Sequence, residues 1–351
     1  MELVSTVRMV TPSEAFGSRG DVLVVVSVDT EEDNWVPART GITLNNIKAL
    51  PRLSRFFGAL DVRATFFTTY QVATDPRAAD ILREIAAGGR TEIAAHLHPW
   101  NTPPVEEPLS GRNTLMKNLA PGLQLAKLEC LTTALGDAFG TPPTAFRAGR
   151  FGLGPAAVSA LLSCGYQVDS SVTPFVSWEA TDDGPTFVGA PLAVYRTDPG
   201  RDVRVSEPFG PLVEVPITCG YTRFSATRWP LVHRLLHARA VRAVHLPGVC
   251  ARLGVVKRTI LNPEFESVRD MLALSRGALE GGVHHLHLFF HSVALRAGLM
   301  PWVSGAADVE RLYATIARYL EGLSKMVSFR FATVSEAAER QQPTLAHAVH
   351  A

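Results

Sequence analysis

The segment TEIAAHLHPWN, residues 91–101, alternates Glu92, Ala94, His96 and His98 with Ile93, Ala95 and Leu97. In an extended strand successive side chains leave opposite faces, so both histidines share one face. Their Cα atoms are then about 6.5 Å apart, a gap two converging imidazoles close around one ion held about 2 Å from each nitrogen. Pro99 has no backbone N–H, so the strand ends there. The histidines therefore stand at a strand's carboxyl end, where α/β folds assemble their sites. Two hydrogen-bonded histidines at a strand terminus give the same pattern, and the segment alone leaves both readings open.

Upstream, residues 22–28 form a nearly unbroken β-branched run, the pattern of a strand buried on both faces. It leads into Asp29, Thr30, Glu31, Glu32 and Asp33. Carboxylates beside an apolar strand are costly to bury without a cation or a hydrogen-bond network, so a solvated loop is expected for some of them. Asp29 and Glu31, on one face of an extended segment, are the site candidates. Helical spacing over 50–60, a strand over 63–70 and a helix over 76–87 lead to the histidine strand. That alternation predicts a parallel sheet with right-handed crossovers.

Downstream it continues with a helix over 115–139, a strand over 145–147, a helix over 155–164 opened by Pro155, and a strand over 167–172. Arg147, Arg150 and Asp169 lie at these strand ends. Residues 173–263 read as an insertion of short hairpins, loops and one helix. Its segment 215–263 has no Asp or Glu but eight Lys or Arg, and Leu231, Val232, Leu235, Leu236 and Val241 give it an apolar stripe. A helix packed on the body with its arginines in water is the favoured reading, and a peripheral membrane contact through 223–258 the other. A helix over 265–279, a strand over 284–290, a helix over 309–320, a strand over 329–334 and a short helix complete the body. On the 284–290 strand His285, His287, Phe289 and His291 share a face; His291, at the carboxyl end, is the functional candidate, and His284, His285 and His287 are read as structural or exposed. The expected organisation is an arm over 1–20, a body over 21–336 and a flexible tail over 337–351.

With 46% hydrophobic and 19% charged residues the chain can bury a large core. Its net charge of +1 creates no field that would recruit nucleic acid. Cys130, Cys164, Cys219 and Cys250 are scattered without a C-x-x-C pair, which argues for reduced thiols. No apolar run is long enough for a membrane span, and the N-terminus lacks an apolar core after a basic start, so the expected compartment is the cytoplasm.

Taken in order, Asp29/Glu31, His96/His98, Arg147/Arg150, Asp169 and His291 resemble the five motifs of the polysaccharide deacetylase family, the NodB-homology group or carbohydrate esterase family four. The similarity covers about residues 22–336. It is closest to a branch with Asp-x-Glu and His-x-His-Pro-Trp motifs, here Asp29-Thr30-Glu31 and His96-Leu97-His98-Pro99-Trp100. FRAGRFGLGP (146–155), DSSVTP (169–174) and FFHS (289–292) also match that branch. Departures from the main family are that its paired Asp-Asp becomes Asp29-Thr30, its second metal histidine falls on Trp100, and Ala294 stands where the branch has a carboxylate.

The resemblance implies a distorted (β/α)7 TIM-like barrel that removes an N-acyl group, usually acetyl, from an amino sugar or aminoglycoside-like substrate with one divalent metal, commonly zinc. It implies His96, His98 and a carboxylate, Glu31 or else Asp29, as metal ligands; with Glu31 as the ligand, Asp29 is the general base, Arg147 its orienting partner, and His291 the proton donor to the leaving nitrogen, assisted by Asp169. Trp100, Phe151 and Arg150 are the expected substrate contacts, with Trp35 a further apolar face for a sugar ring. Two other classes fit the same residues: an amidohydrolase, which also uses a His-x-His pair, and a sugar-binding protein with a decayed site.

Overall fold

The computed structural model describes residues 22–238 and 255–339. The arm, Cys250, part of the basic segment and the end of the tail lie outside the described residues. In order, the principal elements are β1 (Val22–Thr30), α1 (Leu50–Ala59), β2 (Ala64–Thr68), α2 (Tyr70–Thr74), α3 (Pro76–Ala86), β3 (Thr91–Leu97), α4 (Pro121–Phe139), β4 (Ala145–Ala148), α5 (Pro155–Ser163), β5 (Val168–Asp169), β6 (Tyr195–Thr197), β7 (Leu212–Glu214), β8 (Cys219–Tyr221), α6 (Trp229–His237), β9 (Arg258–Ile260), α7 (Val268–Glu280), β10 (His285–His291), α8 (Ala306–Ser324), β11 (Phe329–Ala332) and α9 (Val334–Glu339).

Seven strands pair in parallel in the order β10-β1-β2-β3-β4-β5-β7 and curl into a half-barrel; β6 adds antiparallel to its edge. β1 is the axis of the arrangement. One of its sides is covered along its length by β10, from Leu23 beside His285 to Asp29 beside His291. Its other side is shared end to end, with β11 against Val22–Val25 and β2 against Val26–Thr30. Between β7 and β10 the ladder gives way to irregular bonds, from Thr218 N–H to His287 O at 3.3 Å and from Leu261 N–H to Thr218 O at 2.9 Å.

The strand residues divide by parity as the period of two requires. Val22, Val24, Val26 and Val28 face outward and pack under α1, α7 and α8 through Leu53, Phe57, Leu274 and Ile316. Leu23 and Val25 face inward with Phe67, Ala94, Ala145 and Val213, forming the floor of the barrel. Above that floor the inward positions turn polar, so an apolar base carries a ring of charged side chains at the strands' carboxyl ends.

Several expectations need correction. The seventh barrel strand is β7, inside the segment read as an insertion; three residues between prolines carry too little periodicity to separate a barrel strand from a hairpin piece. β11 is an appended strand on the first half of β1. Residues 112–118 form two short 3-10 turns rather than the start of α4, because Lys117 N–H bonds to Gly152 O at 2.8 Å and Pro121 opens the helix proper. β2 stops at Thr68 and the chain turns at once into α2. α9 carries ordered chain past residue 336 to Glu339, where the tail was expected to begin. On α6 the packed face is Trp229, Val232, His233 and Leu236, while Leu231 and Leu235 of the expected stripe are exposed. Arg228 and Arg234 are exposed too.

Candidate metal centre

Parallel register brings the candidate residues together. β1 sets Asp29 beside His291, and β3 sets His96 beside Arg147. All are inward positions at carboxyl ends, so they converge above the barrel floor. None of the four carboxylates at the end of β1 and just beyond it is solvated: Asp29, Glu31, Glu32 and Asp33 are all buried. Burial of four acids requires compensation, and each has its own.

Glu31 is compensated by the histidines. Its Oε2 lies 3.1 Å from His98 Nε2 and 3.7 Å from His96 Nε2. Burial alone would raise its pKa, but hydrogen bonds from His96 and His98 outweigh that and hold it below the usual carboxylate range. The donor atoms of Glu31, His96 and His98 lie within 4.8 Å of one another, in a buried cluster. Ligands on a tetrahedral ion with bonds near 2 Å are about 3.3 Å apart, so one cation fits between these three, and two imidazoles with a carboxylate form a set that suits zinc.

The second nitrogen of each histidine is also committed. His98 Nδ1 lies 2.8 Å from Glu32 Oε1, which accepts from Asn101 Nδ2 at 2.5 Å. His96 Nδ1 lies 3.1 Å from Arg147 O. Such outer partners fix ring orientation and tautomer in metal sites. Burial pushes His98 down, yet the charges and hydrogen bonds of Glu32 and Glu31 raise it to about 10; a pocket this negative also favours a cation. Trp100 stacks on His98 with ring centroids 4.1 Å apart. It therefore braces that imidazole from within the wall, and little of its face is left for substrate. Gly149 is required beside the same ring: a Cβ there would lie 2.6 Å from Leu97 O and 2.8 Å from His98 Cδ2.

Asp29 is held by Arg147. The fully buried guanidinium bonds Asp29 Oδ1 at 2.5 Å, Ser170 O at 2.9 Å and Ser170 Oγ at 3.1 Å, and lies 4.1 Å over the Phe67 ring. The other oxygen, Asp29 Oδ2, lies 4.0 Å from His291 Nε2. Below them His287 Nε2 meets Ser27 Oγ at 2.8 Å, and burial with the Arg147 charge keeps His287 neutral; His285 is likewise buried, and His284 is exposed.

Asp169 does not assist His291. It is buried against Glu214, with its carboxylate accepting from Ser171 N–H and Oγ at 2.9 and 2.8 Å. The carboxylate on His291 is Glu264, whose Oε1 lies 2.8 Å from Nδ1 and accepts the His291 backbone N–H at 2.7 Å. Burial would lower His291, but the charges of Glu264, Glu31 and Asp29 and the Glu264 hydrogen bond raise it to about 10. Glu264 and Glu32 are the residues sequence reasoning missed. The available signal was that Glu264 is the first acid after the acid-free stretch 215–263, but at the entry to a helix it reads as a cap.

Asp29, Glu31, His96, His98 and His291 open into one cleft of about 830 Å³. Phe151 forms part of its wall, stacked on Trp178 at 5.6 Å. Arg150 also lines it, but its guanidinium is engaged by Thr114 and by Asp182 at 2.7 Å. Arg150 and Phe151 both have positive φ, 54° and 55°, a costly backbone for residues with side chains and one that concentrates at functional loops.

No family model matches the chain, and no curated protein matches it in sequence. In fold, the chain is similar to polysaccharide deacetylases and family 4 carbohydrate esterases. A provisionally assigned polysaccharide deacetylase from Mycobacterium smegmatis is 18% identical over 95% of this chain and 94% of its own, with a TM-score of 0.49. An acetyl xylan esterase from Clostridium thermocellum, solved with a cobalt ion, is 14% identical over 90% and 89%, with a TM-score of 0.41. A family 4 pseudoenzyme from Bacillus anthracis is 10% identical over 91% of this chain and 66% of its own, with a TM-score of 0.41. Function is therefore read from the site's own geometry.

Proposed function

We propose that the protein is a metal-dependent N-deacetylase of an amino sugar, using Glu31, His96 and His98 to hold one divalent ion, with zinc the best match to the donor set. The observation that carries this reading is that a three-ligand cluster, an arginine-held carboxylate and a carboxylate-held histidine open into one cleft. The ion would supply a Lewis acid and lower the pKa of water in its remaining position.

The chain's own groups divide the proton work. Asp29 Oδ2 takes the proton of the attacking water, while Arg147 fixes Oδ1 by a charge-assisted hydrogen bond. His291 Nε2 gives a proton to the departing amine as the C–N bond breaks, so that amide and water become amine and carboxylate. Glu264 holds His291 by Nδ1, which leaves Nε2 as the donor toward the cleft. Arg150 is tied to Asp182 and contributes to the shape of the wall; Asp169 supports the floor beside Arg147.

An amidohydrolase would complete its site with histidines from later strands. Here His285 and His287 bond Pro216 O and Ser27 Oγ below the cleft, which leaves His291 as the one later-strand histidine lining it among the described residues and favours the deacetylase. Metal analysis of the purified protein, combined with acetate release from N-acetylated amino sugars, is the test. About one equivalent of zinc and metal-dependent release are expected; saccharide binding without release would leave the decayed binding protein.

A further inference from the structure

The cleft is wider and more apolar than one amino sugar needs. Its mouth carries large exposed hydrophobic residues: Trp35 at 41%, Val36 at 72%, Leu109 at 46% and Phe265 at 54% exposure. Clustered exposed apolar side chains at a site mark a binding surface. Two of the cleft's aromatic rings, Trp35 and Phe265, are joined through Trp302, which lines the neighbouring pocket beside Glu264. Trp35 meets His291 edge-on at 5.6 Å and Trp302 at 4.8 Å, and Trp302 meets Phe265 at 4.9 Å.

The charged side chains of the cleft are committed to one another, Arg150 to Asp182, Glu31 to His98 and Asp29 to Arg147, while Asn262 accepts the Glu264 N–H at Oδ1 and keeps Nδ2 unpartnered. The mouth itself offers mainly apolar side chains, the aliphatic Val36 and Leu109 beside Trp35 and Phe265. Its position tells which end of the substrate it meets. His291 is the proposed donor to the leaving nitrogen, so the apolar mouth, which meets His291 through Trp35, lies on the amine side of the scissile bond, away from the acyl group.

We infer that the substrate is an N-acetylated amino sugar carrying an apolar aglycone, a hydrocarbon chain that lies along Trp35 and Phe265. This rests on the deacetylase reading of the same site. The mouth supplies hydrophobic contact outside the chemistry, which binds the aglycone and leaves only one ring in the polar part of the cleft.

The test compares three substrates of the zinc-loaded enzyme, each below its micelle concentration: methyl N-acetylglucosaminide, octyl N-acetylglucosaminide and methyl N-octanoylglucosaminide. In parallel, binding of the two amine products, methyl and octyl glucosaminide, is measured by calorimetry. The octyl glycoside is expected to exceed the methyl glycoside by about tenfold or more in kcat/KM and its product in affinity, as burial of several methylenes implies. Phe265→Ser is expected to collapse both ratios toward one. Equal kcat/KM for methyl and octyl glycosides overturns the inference while the deacetylase stands, and a preference for the N-octanoyl compound overturns it by moving the apolar wall to the acyl side. If no compound releases its acyl group, the deacetylase reading fails and calorimetry decides the apolar contact: tighter octyl binding that Phe265→Ser abolishes supports it, and equal binding overturns it.

Discussion

Glu264 Oε1 grips His291 twice, at the ring Nδ1 (2.8 Å) and at the backbone N–H (2.7 Å). The carboxylate thus fixes both where the imidazole stands and which nitrogen faces the cleft. Glu264 belongs to the turn before α7 and His291 to the end of β10, so the pairing joins a loop to the barrel rim.

Glu264→Gln removes the charge that holds His291 near 10. The folded-state pKa of His291 should fall toward its ordinary value, and the alkaline limb of kcat against pH should move to lower pH. A loss of about 10²-fold in kcat is expected with a near-normal KM. An unshifted pH profile would remove Glu264 from the proton donor.

His98→Ala should abolish both metal retention and amine release, measured by elemental analysis and acetate assay. Glu32→Gln leaves all three ligands and changes only what orients His98. Its metal affinity should fall by about 10–100-fold. An active, metal-replete His98→Ala protein would take His98 out of the site.

Gly149→Ala places a methyl against Leu97 O and the His98 ring. Relief requires β3 or the ring to move, so about 1–3 kcal/mol of stability should be lost, together with zinc affinity. Denaturant unfolding and competition with a chelator measure the two effects. A neutral outcome for both would mean that the ring has room to turn.

Asp169 and Glu214 make stability depend on pH. Burial and the neighbouring Asp169 charge raise Glu214 well above its ordinary 4.5, and burial raises Asp169. The folded state therefore holds a proton that the unfolded chain releases near pH 4.5. Stability from this pair is full below that value and declines as pH rises toward the folded pKa. Glu214→Gln should flatten the decline in denaturant midpoint between pH 5 and 8, and an unchanged slope would mean the pair does not hold the proton.

Lys127 anchors the loop after β3. Its buried Nζ donates to Pro99 O, Thr102 O and Pro104 O at 2.8, 2.8 and 2.7 Å and lies 3.2 Å from Glu107. Lys127→Met should destabilise the fold by about 3 kcal/mol, because it strands three carbonyls and a buried carboxylate. Recovery of stability in Lys127→Met with Glu107→Gln would assign part of that loss to the unpaired charge.

The strand-end positions were legible because they depend on local chemistry. Period-two alternation fixed the shared face of His96 and His98, the β-branched run fixed β1, and Pro99 fixed where β3 stops. Helix starts at Pro51, Pro76 and Pro155 were legible for the same reason, since a missing N–H is tolerated only in a first turn. What the chain order could not carry is which distant residue reaches which histidine. Asp169 lay at a strand end and looked like the natural partner of His291, yet the fold turns it down onto Glu214 and brings Glu264 across from a loop. Glu32, read as a loop acid, folds under His98 once the chain leaves β1 at Thr30. The sequence alone determined the alternating α/β body and the set of charged strand ends; the tertiary structure decided their pairing, because a buried charge is satisfied by whatever the packing places within hydrogen-bond reach, and that is set by loop paths and register between strands far apart in the chain.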